Sequence, residues 1–189
     1  MCFSFEISLT TFVSSWLICL YLLTKKLSTP QKHNIIFLLI FSSMQLADAV
    51  LWFVEMKRND VNYYVTSLAI PGILSLQILH NILIINKVTN IYIIILTILT
   101  CIYMFKRFNG YSKNLCKNEF TSPIWGSKEL KLWELILFMA LIVYPCWYQL
   151  VLSLFIIIPI IHIFVGGAYG SLWCAVSNIV AFYYLYTYS

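Results

Sequence analysis

Seven apolar stretches, each bounded by charged or turn-forming residues, dominate this sequence and restrict the solvent it can fold in. They run over 7–24, 34–53, 63–85, 91–105, 132–147, 148–165 and 171–188. A helix rises about 1.5 Å per residue, so about 20 residues cross the hydrocarbon of a bilayer. Charged residues are only 10% of the 189, against about 25% in soluble domains, which excludes an ordinary water-soluble core. The expected fold is therefore all-α, an integral membrane bundle of about seven transmembrane helices forming a single membrane domain over residues 1–189.

The first stretch stops at Lys25 and Lys26 and lacks both a basic leading region and a small-residue cleavage site, so it reads as a retained anchor rather than a signal peptide. The second ends at the charged loop Glu55, Lys57, Arg58 and Asp60. The third carries Pro71 and Gly72, where a kink is expected, and His80 near its far end. The fourth is short and would need interfacial neighbours or a thinned bilayer. A polar loop, 106–131, follows, with Asn109-Gly110 and Ser122-Pro123 as expected turns and a helix restarting after Ser127, with Glu129 in its first turn. The boundary at Tyr144-Pro145-Cys146-Trp147 divides 34 apolar residues that are too many for one crossing. Gly166, Gly167 and Gly170 read as a turn between the last two spans, in preference to a helix-packing motif. No internal repeat is evident.

With seven spans, the amino terminus and the loops after spans two, four and six share one side, here called side A. Side A loops carry eight Lys/Arg, and side B loops carry the four at Lys25, Lys26, Lys32 and Lys87. The positive-inside rule then places side A, with loop 106–131, in the cytosol, although the residues flanking the first span alone vote the other way. Basic residues beside spans face lipid headgroups. With no basic-aromatic interleaving, the lipid bilayer and not nucleic acid is the expected partner.

Asp48 is the costliest residue in the chain. A carboxylate inside a span costs roughly 2.5–3.5 kcal/mol on insertion scales and is usually kept for a site or a buried polar contact. It lies five residues from the end of its span, and Gln45 and Trp52 share its helix face at spacings i−3 and i+4. Alternating crossings put Cys2, Glu6, Glu134, His162, Ser171, Trp173 and Cys174 near the same side A level, which predicts a polar layer there. His80 belongs to the side B half and reads as an interhelical histidine. Each companion also has a plainer role. Glu6 and Glu134 complement helix dipoles, and His162 can bond a neighbouring helix. Cys19, Cys101 and Cys146 read as core residues. Trp52, Trp125, Trp133, Trp147 and Trp173 suit an aromatic belt at the membrane surface.

Three islands carry a resemblance. Met1-Cys2-Phe3-Ser4-Phe5-Glu6-Ile7-Ser8, the stretch Gln45 to Trp52 and Gly170-Ser171-Leu172-Trp173-Cys174 together resemble a family of small polytopic membrane proteins with an N-terminal Met-Cys-Phe-Ser motif, a domain of unknown function found in bacteria and large DNA viruses. Asp48 stands where that family has Glu, which keeps the acid and shortens its reach by one methylene. The resemblance implies a shared architecture and side A layer, and no activity. Together with an Ile-, Asn-, Lys- and Tyr-rich composition it points to a viral or host membrane.

Removal of Met1 would leave Cys2 with a terminal thiol and amine, able to serve as nucleophile, metal ligand or acylation site. Cys174 could pair with it, or share a zinc ion with His162 and Asp48. Three functions follow from the layer. One is a hydrolase-like membrane enzyme on a lipid substrate, with Asp48, Cys2 and His162 as catalytic residues. The seven-span alkaline ceramidase type offers an analogy, though its paired histidines on the last span are missing here. Another is a small-cation transporter or channel lined by Asp48 and Glu134, built within one chain or a homo-oligomer. The third is a structural or adaptor membrane protein whose layer locks spans together. Six cysteines do not establish an oxidising compartment, because at least three fall within spans.

Overall fold

The computed structural model describes residues 4–117, 120–126, 128, 130–146, 151 and 169–188. Side chains are described for these except 115–117, 120–122 and 169–176. The described chain is mostly helical, with α1 at Phe5–Leu23, α2 at Thr29–Phe53, a continuous α3 at Asp60–Ile85, α4 at Ile91–Arg107, α5 at Leu132–Val143 and α6 at Tyr169–Tyr188. Three of these, α1, α2 and α3, are long and apolar enough to cross a membrane. The sixth expected span, 148–165, lies outside the described residues apart from Val151.

Local chemistry sets the helix starts, and in α2 it overrides the hydrophobic pattern. Ser28 and Gln31 form a capping box, in which Ser28 N donates to Gln31 Oε1 at 2.9 Å and Gln31 N to Ser28 Oγ at 3.5 Å. With Pro30 in its first turn, α2 begins at Thr29, five residues ahead of its apolar stretch. Asn59 caps α3 by accepting from Asn62 N at 2.8 Å, and Asn90 caps α4 by accepting from Tyr92 N at 3.0 Å. Pro71 lies within α3, just after a π-helical turn at Val65–Ala69. Proline removes an N–H and crowds the carbonyl four residues back, and a wider turn relieves both effects.

Two boundaries differ from the expectation. The helix after the polar loop starts at Leu132, not after Ser127. Leu130 and Lys131 are non-helical, and Ser127 and Glu129 lie outside the described residues. That helix ends at Val143 instead of 147, because the residue before a proline avoids the helical region, and Tyr144, before Pro145, is extended at ψ 137°. At 12 residues, α5 is too short to cross a bilayer as a straight helix.

One small hairpin accompanies the helices of a mostly helical chain. β1 (Lys113–Lys117) pairs antiparallel with β2 (Phe120–Ile124) in the register Lys113↔Ile124 and Lys117↔Phe120. Ser122-Pro123 is thus strand and not a turn. The missing N–H of Pro123 is tolerated because a two-stranded sheet has only edges. Gly110 does turn the chain, at φ +141°.

α2 is the central helix, packed against α1, α3 and α6, while α4 packs on α3 and α5 on the end of α3. The outer face of α4 is apolar, with Ile91, Ile95, Leu99 and Ile102 exposed, and its inner face carries the buried Thr97, Thr100 and Met104. This inversion of the soluble pattern suits a lipid surround.

Candidate functional site

The face of α2 that meets its neighbours carries Gln45 and Asp48, one turn after the buried Ser42. Asp48 is 0% and Gln45 1% exposed. Asp48 Oδ1 accepts from the indole Nε1 of Trp125 at 2.8 Å. Trp125 was expected in the aromatic belt, yet it is 6% exposed and stands edge-on to Phe108 at 6.5 Å between ring centroids. A residue 77 positions downstream of Asp48 thus supplies a donor that no helical periodicity indicates. An indole offers an apolar body and one N–H, which suits a carboxylate enclosed by apolar side chains.

Trp125 is placed by the end of the hairpin and by a polar network below it. β2 leads into Trp125, and Gly126 turns the chain at φ +78°, a backbone region that side chains rarely adopt. Gly126 N donates to Ser112 Oγ at 3.4 Å. Ser112 is held in turn at the start of α3. Its N–H donates to Asn62 Oδ1 at 2.9 Å, its carbonyl accepts from Asn62 Nδ2 at 2.9 Å, and its hydroxyl lies 2.7 Å from Thr66 Oγ1. Asn62 Nδ2 also donates to Lys57 O at 3.1 Å, and Gly110 N to Ser67 Oγ at 3.1 Å. Asn62, Thr66 and Ser112 are all buried, so these bonds are made away from water, where leaving them unmade would be costly.

A second set of bonds ties α6 to the bundle. Gln45 Nε2 donates to Ser177 Oγ, and Ser15 Oγ on α1 donates to Asn178 Oδ1 at 3.1 Å. Trp52, one turn beyond Asp48, is half-buried against the apolar core.

Glu134 sits in a cluster of its own. Its Oε1 accepts from Arg107 Nε at 2.8 Å and from the Tyr103 hydroxyl, and its Oε2 accepts from Lys131 N at 2.6 Å. The last bond caps α5, while the guanidinium supplies the counter-charge within an environment only 2% exposed at the carboxylate side chain. Glu6, in the first turn of α1 beside its Ser4 cap, is exposed. Near the start of α2, a ring nitrogen of His80 lies 3.0 Å from the His33 carbonyl oxygen, so this histidine does join α3 to α2.

Cys2 and His162 lie outside the described residues. Ser171, Trp173 and Cys174 fall on α6, with their side chains outside them. Among the described residues no group of three or more His, Cys, Asp or Glu could hold a metal ion. Of the zinc set suggested by the sequence, Asp48 is the only described side chain. The structure therefore joins Asp48, Gln45, Trp125 and Ser177 as neighbours of α2 and places Glu134 with Arg107. The sequence signals for Trp125 and Ser112 were slight. They amount to a tryptophan-glycine pair in an otherwise polar loop, and an Asn-x-x-x-Thr-Ser start to an apolar helix.

No family model matches the chain, and neither a curated protein nor a solved structure matches it.

Proposed function

We propose that this is a seven-span integral membrane protein of the structural or adaptor kind, in which Asp48 latches the extramembrane hairpin segment onto the helix bundle. The observation that carries this reading is the fully buried Asp48 carboxylate accepting from the Trp125 indole. A base or nucleophile must reach its substrate within about 2.6–3.2 Å. The Asp48 side chain instead faces inward at 0% exposure, with the indole against it. The network from Asn62 through Ser112 to Gly126 supports the same reading, since it orders the loop that delivers Trp125.

Three helices of spanning length and the lipid-suited face of α4 support a multi-pass bundle, the count of seven rests on the apolar stretches of the sequence, and the Lys/Arg excess supports a cytosolic hairpin side. The three sequence islands support kinship with the Met-Cys-Phe-Ser family. A cation path through Asp48 and Glu134 gains little support from this geometry, because Arg107 already compensates Glu134.

The test is Asp48→Asn and Trp125→Phe in the full chain, read by thermal stability in detergent and by protease sensitivity of the segment 106–131. A latch predicts that Trp125→Phe, which removes the donor, lowers stability and speeds cleavage there, with a smaller effect in Asp48→Asn, which keeps an acceptor oxygen. Unchanged stability and cleavage, with loss of a lipid-hydrolysis or ion-flux activity in Asp48→Asn alone, would favour a reacting site and overturn the latch.

A further inference from the structure

A second feature of the hairpin side has the chemistry of an anion site. A surface cavity of about 300 Å³ is lined by Met56, Arg58, Gly110, Tyr111, Ser112 and Lys113. That volume is at the lower end of the range for small-ligand pockets, about 300–1,000 Å³. Arg58 follows the end of α2 and Lys113 opens β1, so two segments distant in sequence each contribute a cation. Among the described residues no carboxylate lines the cavity. Among the described residues neither Arg58 nor Lys113 forms an ion pair, and Glu55 pairs with Lys57 at 2.7 Å.

The walls are built and not incidental. Glu55 and Met56 both have left-handed backbones, at φ +53° and +49°, without a glycine at either position. Such conformations cost free energy and collect at functional sites. Here they turn the chain so that Met56 is buried at 7% exposure and Arg58 lies on the rim. The Arg58 guanidinium carbon lies over the Tyr111 ring, 5.9 Å from its centroid. A cation–π contact at that distance restrains the side chain weakly and leaves the planar fork's N–H groups for a ligand. On the opposite wall, Ser112 spends its own groups on Asn62 and Thr66 and keeps the loop before Lys113 in place. Gly110, at φ +141° with open space where a Cβ would sit, keeps the rim low.

We propose that this cavity binds a phosphate group, with Arg58 as a bidentate donor and Lys113 as a second cation. Its place beside the end of α2 fits the headgroup level of an anionic phospholipid, where the negative surface potential attracts basic residues. A soluble phosphate ester presents the same chemistry. The site lies beyond the latch reading and does not use Asp48 or Trp125.

The experiment measures binding of short-chain phosphatidylglycerol, short-chain phosphatidylcholine and inorganic phosphate to the full chain in neutral detergent. Wild type is compared with Arg58→Gln, Lys113→Gln, their combination, Arg58→Lys and the control Lys106→Gln, a basic residue in the last turn of α4. The expected result is a loss of at least tenfold in phosphatidylglycerol affinity in the double variant, a partial loss in Arg58→Lys, and less than a twofold change in Lys106→Gln. Tighter binding of phosphatidylglycerol than of phosphate assigns the ligand to the membrane. Equal binding, still lost in the double variant, assigns it to soluble phosphates; both outcomes support the site. Affinities unchanged in the double variant, or lowered equally by Lys106→Gln, overturn it. If the double variant does not fold, the single variants give the same decision at smaller amplitude, with Asp48→Asn reporting separately on the latch.

Discussion

Trp125→Phe should loosen the hairpin side of the protein through one hydrogen bond. The substitution removes the indole N–H that lies 2.8 Å from Asp48 Oδ1 and leaves most of the aromatic body. A buried hydrogen bond to a carboxyl group contributes about 1–3 kcal/mol. The smaller ring adds about 1 kcal/mol for the space it vacates, and the edge-on contact with Phe108 loses some fraction of the roughly 0.5–1.5 kcal/mol such pairs contribute. A total near 3 kcal/mol corresponds to a shift of roughly 6–12 °C in Tm, taking about 2–4 °C per kcal/mol for a chain of this size. The assay is a thermal unfolding series in detergent, followed by size-exclusion recovery, for wild type, Trp125→Phe, Asp48→Ala and the double variant. If the two groups bond as described, the double variant should cost less than the sum of the singles by about 1 kcal/mol or more. Costs that add to within about 0.5 kcal/mol would refute the direct contact.

Three further outcomes follow from particular residues. Glu134→Gln removes the counter-charge 2.8 Å from Arg107 Nε, where the guanidinium side chain is 11% exposed, and should destabilise by about 3 kcal/mol; the restoring control is Arg107→Gln in the same background, and a smaller loss in the pair than in either single variant is the expected reading. Gly126→Ala meets no contact closer than 3.6 Å but must hold φ +78°, so its cost should be the backbone's alone, about 1–2 kcal/mol by the same unfolding assay. Gln77 is 0% exposed, with no hydrogen-bond partner for either amide atom among the described residues, so Gln77→Leu should raise Tm; a fall would mean that the amide is used.

The helices were legible because their signals are local. Apolar runs ended by Lys25, Glu55 or Asn86 mark spans whatever the rest of the chain does. The Ser28-to-Gln31 box, which starts α2 early, was also readable in principle, but a polar first turn drops out of a hydropathy reading. Pro145 stops α5 at Val143 for a reason present in the sequence, yet the surrounding apolar run conceals it. The hairpin was harder. Its strands are only five residues each, one contains Pro123, and their pairing depends on register between segments and not on periodicity within either.

The sequence by itself determined that Asp48 would be costly and that Gln45 would share its face, because depth and angular position follow from counting along a helix. It did not determine what offsets that cost. The tertiary structure brings Trp125 from a polar loop to the carboxylate and Ser177 from the last helix to Gln45. The physical reason is that hydrogen-bond partners across 77 and 132 residues are chosen by packing and loop closure, which leave no periodic trace in either segment. In the same way, Arg58 and Lys113 are ordinary basic residues beside spans until the turn at Glu55–Met56 and the loop at Gly110–Ser112 place them on one cavity.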